Sequence, residues 1–431
     1  MLLTGTVVVD SATVIDEGAV VVDGTTIETV GERDELLDRY PDHERRDFDI
    51  VAPGLVGSHI HSVQSLGRGI ADDTELLDWL FDHILPMEGS MGADEMRTAA
   101  TLGYLELIES GTTTCIDHLS VSHADQAFEA AGEVGIRALM GKVLMDQASP
   151  EPLEEDTEEA LAESEELIRQ YHGAFGDRVR YAVTPRFAVT CSEECLRGAR
   201  ELADRYDGVR IHTHASENLG EIETVETETG MRNVHWLDEV GLTGEDVVLA
   251  HCVHTDETER DVLAETGTHV THCPSSNMKL ASGVAPVLDY LDRGINVALG
   301  NDGPPCNNTL DPFTEMRQAS LLQKVSQLES TALPAATAFE MATVNGAEAA
   351  GFEQLGKLKP GWKADVIGLR TDTSRATPVH DVLSHLVFAT HGDDVAFTMV
   401  DGEVLLDDGE VVGVDVEAVR EQAQTYAEQY S

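Results

Sequence analysis

Lysine is almost missing from this chain. Six of its 431 residues are Lys against 22 Arg, and together these 28 face 80 Asp and Glu for a formal net charge of -52. A field of that sign repels a phosphate backbone, which excludes nucleic-acid binding built on phosphate contacts. An anionic membrane surface is disfavoured for the same reason. The acids are spread along the whole chain, so they are not a disordered tail. Even the densest run, EPLEEDTEEALAESEEL (151–167), carries Leu and Ala at helical spacing and reads as a solvated helix. Self-repulsion of this size is relieved only by strong screening, so a high-salt cytoplasm is the expected setting.

Other signals are missing too. The six cysteines (115, 191, 195, 252, 273 and 306) form no CxxC, and the nearest pair, Cys191 and Cys195, has helix spacing. Neither a disulfide frame nor a structural zinc finger is expected. The opening MLLTGTVVVDSATV has no basic segment and no uninterrupted apolar stretch, and reads as neither signal peptide nor anchor. No apolar run approaches the ~18 residues that a bilayer requires. There is no phosphate loop and no GxGxxG after the first strand, against a dinucleotide site. The H-x-E with P-C-x-x-C pattern of cytidine-type zinc deaminases is absent as well. Repeats and low-complexity segments are not found.

What is present divides by position. The first fifty residues hold β-rich stretches with turn signals, LLTGTVVVD and EGAVVVDGTTIETVG, and the last seventy-five look alike, as in VAFTMVDGEVLLDDGEVVGV. Residues 1–52 and 355–431 are therefore expected to build one small β-sandwich from both termini. Between them, residues 53–354 alternate strand and helix patterns eight times, from VAPGLVGSHIH to INVALGND. Repeated βα units mean a parallel sheet, and eight of this length favour an α/β fold closed as a (β/α)8 TIM barrel.

Barrel enzymes keep their chemistry at the C-terminal ends of the strands. There the first predicted strand ends in His59-Ile60-His61, the fifth in His212-Thr213-His214-Ala215-Ser216-Glu217, the sixth in His251 and the eighth in Asp302. A single histidine at a strand end is more often structural than not. Four such ends on one rim point to a metal. Imidazole and carboxylate ligands with an open position acidify a bound water, and nearby carboxylates can move its protons. By spacing alone either His212 or His214 could be the third imidazole ligand, since both face inward.

These residues carry a resemblance. PGLVGSHIHS, HTHASEN, AHC and NDG, in this order, resemble the amidohydrolase superfamily over the whole chain. QSLGRG with the following ADD, SGTTT, THCPSSNMKLASG and DGPPCNNTLD are similar to its branch of cyclic deaminases and triazine hydrolases. That resemblance implies His59, His61, His214 and Asp302 as ligands of one divalent ion, zinc first and iron(II) second. It implies Glu217 as acid/base partner, His251 as hydrogen-bond donor to the nucleophile or substrate, and Asp302 as proton acceptor. The fourth strand ends in Thr184-Pro185-Arg186-Phe187, without the lysine of two-metal relatives. Lys142 is the only inward candidate nearby, and a packing or surface role is expected for it.

The implied reaction is deamination of a small heterocycle. A 5′-modified adenine nucleoside is the first choice, guanine or another oxopurine the second, and a chloro- or aminotriazine the third. Glu88 sits where nucleoside deaminases of the branch touch ribose, or is an ordinary helix-start carboxylate. Gln64 and Arg186 resemble guanine deaminase positions that hold the purine edge, although Arg186 could simply pair with a neighbouring carboxylate. Trp79 is expected in core or rim packing. A homo-oligomer, dimer or tetramer, is expected, with no nucleic-acid or membrane partner. A non-catalytic scaffold on the same fold is the rival, and it would have lost ligands that are all present here.

Overall fold

The computed structural model describes residues 1–430. Its strands are β1 (Leu2–Asp10), β2 (Thr13–Asp23), β3 (Thr26–Glu32), β4 (Arg45–Pro53), β5 (Leu55–Ile60), β6 (Thr112–His118), β7 (Arg137–Gly141), β8 (Val143–Leu144), β9 (Val179–Pro185), β10 (Arg210–Ala215), β11 (Val247–His251), β12 (His269–His272), β13 (Val297–Leu299), β14 (Val366–Leu369), β15 (Val395–Val400), β16 (Glu403–Asp407) and β17 (Glu410–Val411).

The two ends of the chain share one mixed sheet, ordered β17-β16-β15-β14-β4-β1-β2-β3. Alternation decides its faces. Val7 and Val9 join a core with Val20, Val22, Phe48 and Phe397, while Val8, one residue between, packs toward the barrel. The far edge curls back: Ile27 N–H donates to Trp362 O at 2.8 Å and Ala364 N–H to Thr25 O at 2.9 Å. One continuous sheet thus wraps its own core, as a sandwich does.

Eight parallel strands follow in the order β5-β6-β7-β9-β10-β11-β12-β13, with β8 an added pairing on β9. Closure comes from a bridge between Ile60 and Asp302 and from Asp302 N–H donating to His59 O at 2.9 Å. Val56, Ile116, Leu139, Ala182, Val248 and Ala298 fill the floor of the barrel, plugged from below by Ala347, Phe352 and Leu355. The acidic run forms a helix, Thr157–Tyr171, capped by Asp156 accepting from Glu158 and Glu159 N–H.

One irregularity sets up the chemistry. Leu55 belongs to the outer core and Val56 to the inner one, so strict alternation would turn His59 outward. The register with β6 slips between Gly57 and Ile60, after which Ile60 is the outer residue. His59 and His61 therefore both face the mouth of the barrel.

Lys142 takes the packing role expected of it, but it does not face inward. Its side chain is fully buried and points out of the barrel into the helix layer, where Nζ meets Glu155 at 2.5 Å and Glu163 at 3.6 Å. Leu139 and Gly141 take the inward positions, and position 142 falls on the other parity. It serves packing, as an ion pair that ties the acidic helix to the barrel, and does not reach the mouth.

Candidate active site

Hydrogen-bond partners fix the histidine tautomers. A carbonyl oxygen only accepts, so a ring nitrogen beside one must carry the proton. His61 Nδ1 lies 2.7 Å from His118 O, and His214 Nδ1 lies 2.7 Å from Arg186 O. Both imidazoles therefore present a bare Nε2, and these two atoms face each other at 3.2 Å. His212 Nδ1 donates to Val248 O at 3.0 Å, and its Nε2 accepts from His59 Nδ1 at 2.8 Å. His59 is left with a bare, unpartnered Nε2. Burial pushes all four rings below the usual imidazole pKa, which keeps them neutral.

Three imidazole lone pairs thus converge from His59, His61 and His214. Asp302 Oδ1 joins them, 3.5 Å from His59 Nε2 and 3.4 Å from His61 Nε2. This is a donor set without a proton to share, which suits a cation. His251 differs. Asn277 Nδ2 donates to its Nδ1 at 3.0 Å, so Nε2 carries the proton, and that atom lies 3.5 Å from Glu217 and 3.9 Å from Asp302. His251 can also be grouped with His59 and His214 by distance alone. Its tautomer makes it a donor instead.

The two carboxylates are driven apart. Burial, and then the charge of Asp302, push Glu217 up to about 8, against bonds from Ser282 Oγ at 3.0 Å and Asn277 at 3.3 Å. Burial also pushes Asp302 upward, but the surrounding histidines hold it well below the usual carboxylate range. Ser276 Oγ and Gly303 N–H donate to it at 2.6 and 2.7 Å. One acid keeps its proton at neutral pH and the other does not. Paired groups pushed apart in this way mark acid and base roles.

Backbone strain gathers at the same place. Ser216, His251, Cys252 and Asp302 have φ of 53°, 72°, 47° and 64°, in the left-handed region that non-glycine residues avoid. Glu221 holds one of these turns by accepting from Ser216 N–H at 3.1 Å and Glu217 N–H at 2.8 Å. Asp117 anchors the segment after His61 through Ser62 and Tyr104, and burial pushes it up to about 6.

A cleft opens over these groups. Its floor is His61, His214, Glu217, His251 and Asp302, and Gln64 and Arg186 stand on one side. Leu76, Leu77, Trp79, Leu80 and Phe187 form an apolar wall. Trp79 also packs in a core cluster with Leu76 and Phe187, so it serves the rim as expected. Glu88 lies behind the wall, fully buried. Its carboxylate accepts from Gln64 Nε2 at 2.8 Å, Ser120 Oγ at 2.9 Å and Arg186 Nη1 and Nη2 at 3.1 and 3.3 Å. Gln64 and Arg186, expected together on a purine edge, and Glu88, expected on a ribose or as an ordinary helix-start carboxylate, are bonded to one another with Glu88 at the centre, and Arg186 does pair with a carboxylate. The expectation that Glu88 itself faces a ribose is not what this geometry shows, because four donors already occupy it.

Asn277, Ser276, Ser282, Glu221 and Asp117 had no assigned role in the sequence. Asn218 with Glu221 three residues on was a legible helix-start signal, and both arms of that capping box form. Nothing in spacing marks the serines and Asn277, which reach the site from the segment after β12.

A closed barrel with histidines on strands one and five, and an aspartate after strand eight, defines a metal-type hydrolase rim. The sequence profile of the amidohydrolase family matches residues 50–405, and this chain belongs to that family. A 5′-deoxyadenosine deaminase of Methanothermobacter thermautotrophicus is 41% identical over 99% of this chain and 98% of its own length. A 5-methylthioadenosine/S-adenosylhomocysteine deaminase of Haloarcula marismortui is 42% identical over 88% of this chain and 86% of its own. Among solved structures, an adenosine deaminase from Xanthomonas campestris with bound zinc superposes with a TM-score of 0.92 at 30% identity, over 100% of this chain and 98% of that one.

Proposed function

We propose that this protein is a metal-dependent deaminase of a 5′-modified adenine nucleoside. The observation that carries the reading is the opposed pair Glu217 and Asp302 beside three bare imidazole nitrogens. His59, His61, His214 and Asp302 would hold one divalent ion, zinc first and iron(II) second. When bound, that ion supplies Lewis acidity and an acidified water. With Lys142 turned outward, no lysine offers a bridge for a second ion.

The chain's own groups do the rest. Asp302, kept ionised, takes the proton from the attacking water. Glu217, kept protonated, gives its proton to the ring nitrogen beside the amino-bearing carbon. His251 Nε2–H donates to the oxygen arriving at that carbon. Asp302 then passes its proton to the amino group as the C–N bond breaks and ammonia leaves, and the proton of the added hydroxyl returns to Glu217 as the carbonyl forms. Gln64 holds the ring edge, while Glu88 orients Gln64 and Arg186 without touching substrate. The leucine and Trp79 wall suits a 5′ position that lacks its hydroxyl or bears a thioether, because an apolar wall leaves a hydroxyl unpaired.

A second reading, guanine or another oxopurine, is favoured by Gln64 and Arg186 standing on the pocket wall. The test is an ammonia-release screen at molar KCl over adenosine, 5′-deoxyadenosine, methylthioadenosine, S-adenosylhomocysteine, guanine, 8-oxoguanine and ammeline, with metal content measured alongside. The expected result is turnover of 5′-modified adenosines with one ion per chain. Turnover of guanine alone would select the second reading, and no release from any of them would overturn both. Among the described residues, no helix is long and apolar enough to cross a membrane. The net charge of -52 supports a salt-rich cytoplasm as the working compartment, and we place a homo-oligomer there.

A further inference from the structure

The acidic coat of the molecule has a gap. Residues 316–328 contain no Asp or Glu in a chain that carries 80, and they make up most of the helix Pro312–Gln327 with its C-cap Leu328. Glu315, just before them, is buried and accepts from Ser275 N–H and Asn307 Nδ2. The outward stripe of the helix is Arg317, Leu321, Val325 and Leu328, all exposed and spaced four, four and three apart. Leu328 is 90% exposed, more than any other large apolar side chain among the described residues. Arg317 is equally unusual. Alone among the described Arg and Lys residues, it has no hydrogen bond, ion pair, ring contact or charge partner within the chain. An unpaired cation in so acidic a protein, on an acid-free apolar helix stripe, calls for a partner that brings the acid.

We propose that this stripe is the contact between two copies of the chain, packed antiparallel about a two-fold axis at residue 323. In such an isologous contact each residue faces its mirror position across the axis. Leu321 then meets the partner's Val325, and the same midpoint sets Arg317 opposite the partner's Glu329. Glu329 is exposed just past the C-cap, with its internal bonds, from Thr331 N–H at 3.1 Å and Thr331 Oγ1 at 2.8 Å, both on Oε1. Two molecules of net charge -52 can approach here across a helix face that carries no carboxylate, and each supplies the acid that the other's arginine lacks. The stripe alone falls short of the ~800 Å² per partner of a standard interface. The helix Val382–Phe388, which packs against Pro312–Gln327, adds half-buried Val382 and Leu383 to the same contact.

The test is the mass in solution, by sedimentation velocity at several KCl concentrations, with circular dichroism to verify folding. The wild type should be an even-numbered oligomer, and Leu321→Glu with Val325→Glu should halve its mass. Arg317→Glu should raise the dimer dissociation constant about tenfold at the lowest salt that keeps the protein folded. Adding Glu329→Arg should restore it, a rescue that a merely structural role would not give. Because all six native cysteines are buried, a Leu321→Cys/Val325→Cys variant should crosslink between chains on mild oxidation. A monomeric wild type would overturn the proposal and leave the face to some other protein. An oligomer that neither the glutamates nor the charge reversal disturbs, and that does not crosslink, would place the contact elsewhere.

Discussion

Two buried arginines sit at opposite ends of the barrel, and their surroundings separate stability from function. At the floor, Arg137 on β7 donates to Asp365 from Nε at 3.0 Å and from Nη2 at 2.9 Å, and to Asp401 at 2.6 Å. Both acids belong to the two-ended sheet, Asp365 just before β14 and Asp401 just after β15, so the pair locks sheet to barrel. At the mouth, Arg186 after β9 is equally buried and equally bidentate, on Glu88. Here Glu88 also accepts from Gln64, and the cleft adjoins the group. The same chemical pair is a bolt at one end and a tool at the other, and what differs is whether open space adjoins it.

The largest expected effect lies between these ends, on the proton carriers. Glu217→Gln should keep fold and bound metal while kcat falls by about 10²–10⁴-fold, the usual worth of a general acid. Near wild-type turnover would show that another group donates the proton. The same residue sets a pH limit. Its pKa is raised to about 8, so the proton-bearing working form is held below that pH and lost above it. A kcat profile should therefore fall on the alkaline side, and a profile flat well beyond pH 9 would contradict the assignment.

Next come the arginines themselves. Arg137→Ala strands Asp365 and Asp401 in a buried place and should cost about 3–5 kcal/mol of stability, read by denaturant titration, with kcat/KM of the folded enzyme unchanged. Arg186→Ala removes the buried counter-charge of Glu88, which keeps Gln64 and Ser120 as donors, so it should cost stability as well. Unlike Arg137→Ala, it should also lower kcat/KM by one to several orders of magnitude. If both variants lose stability alike and neither changes substrate preference, Arg186 is a second bolt and the contrast fails. Glu88→Gln sharpens the point. It should damage free bases and nucleosides together, as a residue acting through its neighbours must, whereas a ribose contact would spare free bases.

The smallest effect concerns the surface. At a net charge of -52 the folded chain repels itself, and raising salt from 0.1 to 1 M shortens the Debye length from ~10 to ~3 Å. The melting midpoint should rise with KCl, and Arg137→Ala should rise in parallel, because its buried pair is little screened. A flat or falling midpoint would remove the case for a salt-rich compartment.

The sequence by itself determined the barrel, the two-ended sheet and the strand ends where histidines and acids gather. Hydrophobic alternation and βα repetition depend on nearest neighbours along the chain, and these are legible one residue at a time. Tertiary structure alone decided the roles within those clusters. Both His212 and His214 spend Nδ1–H on a carbonyl, and what separates them is that His59 Nδ1–H occupies Nε2 of His212 and leaves that of His214 for the cluster. The inward turn of His59 depends on a register slip against β6. The direction of Lys142 depends on strand parity, and the joining of Gln64, Glu88 and Arg186 depends on three distant segments meeting at the mouth. Each is a contact between residues far apart in the chain, and a linear pattern carries no record of which polar atoms will share a bond once water has been removed from around them.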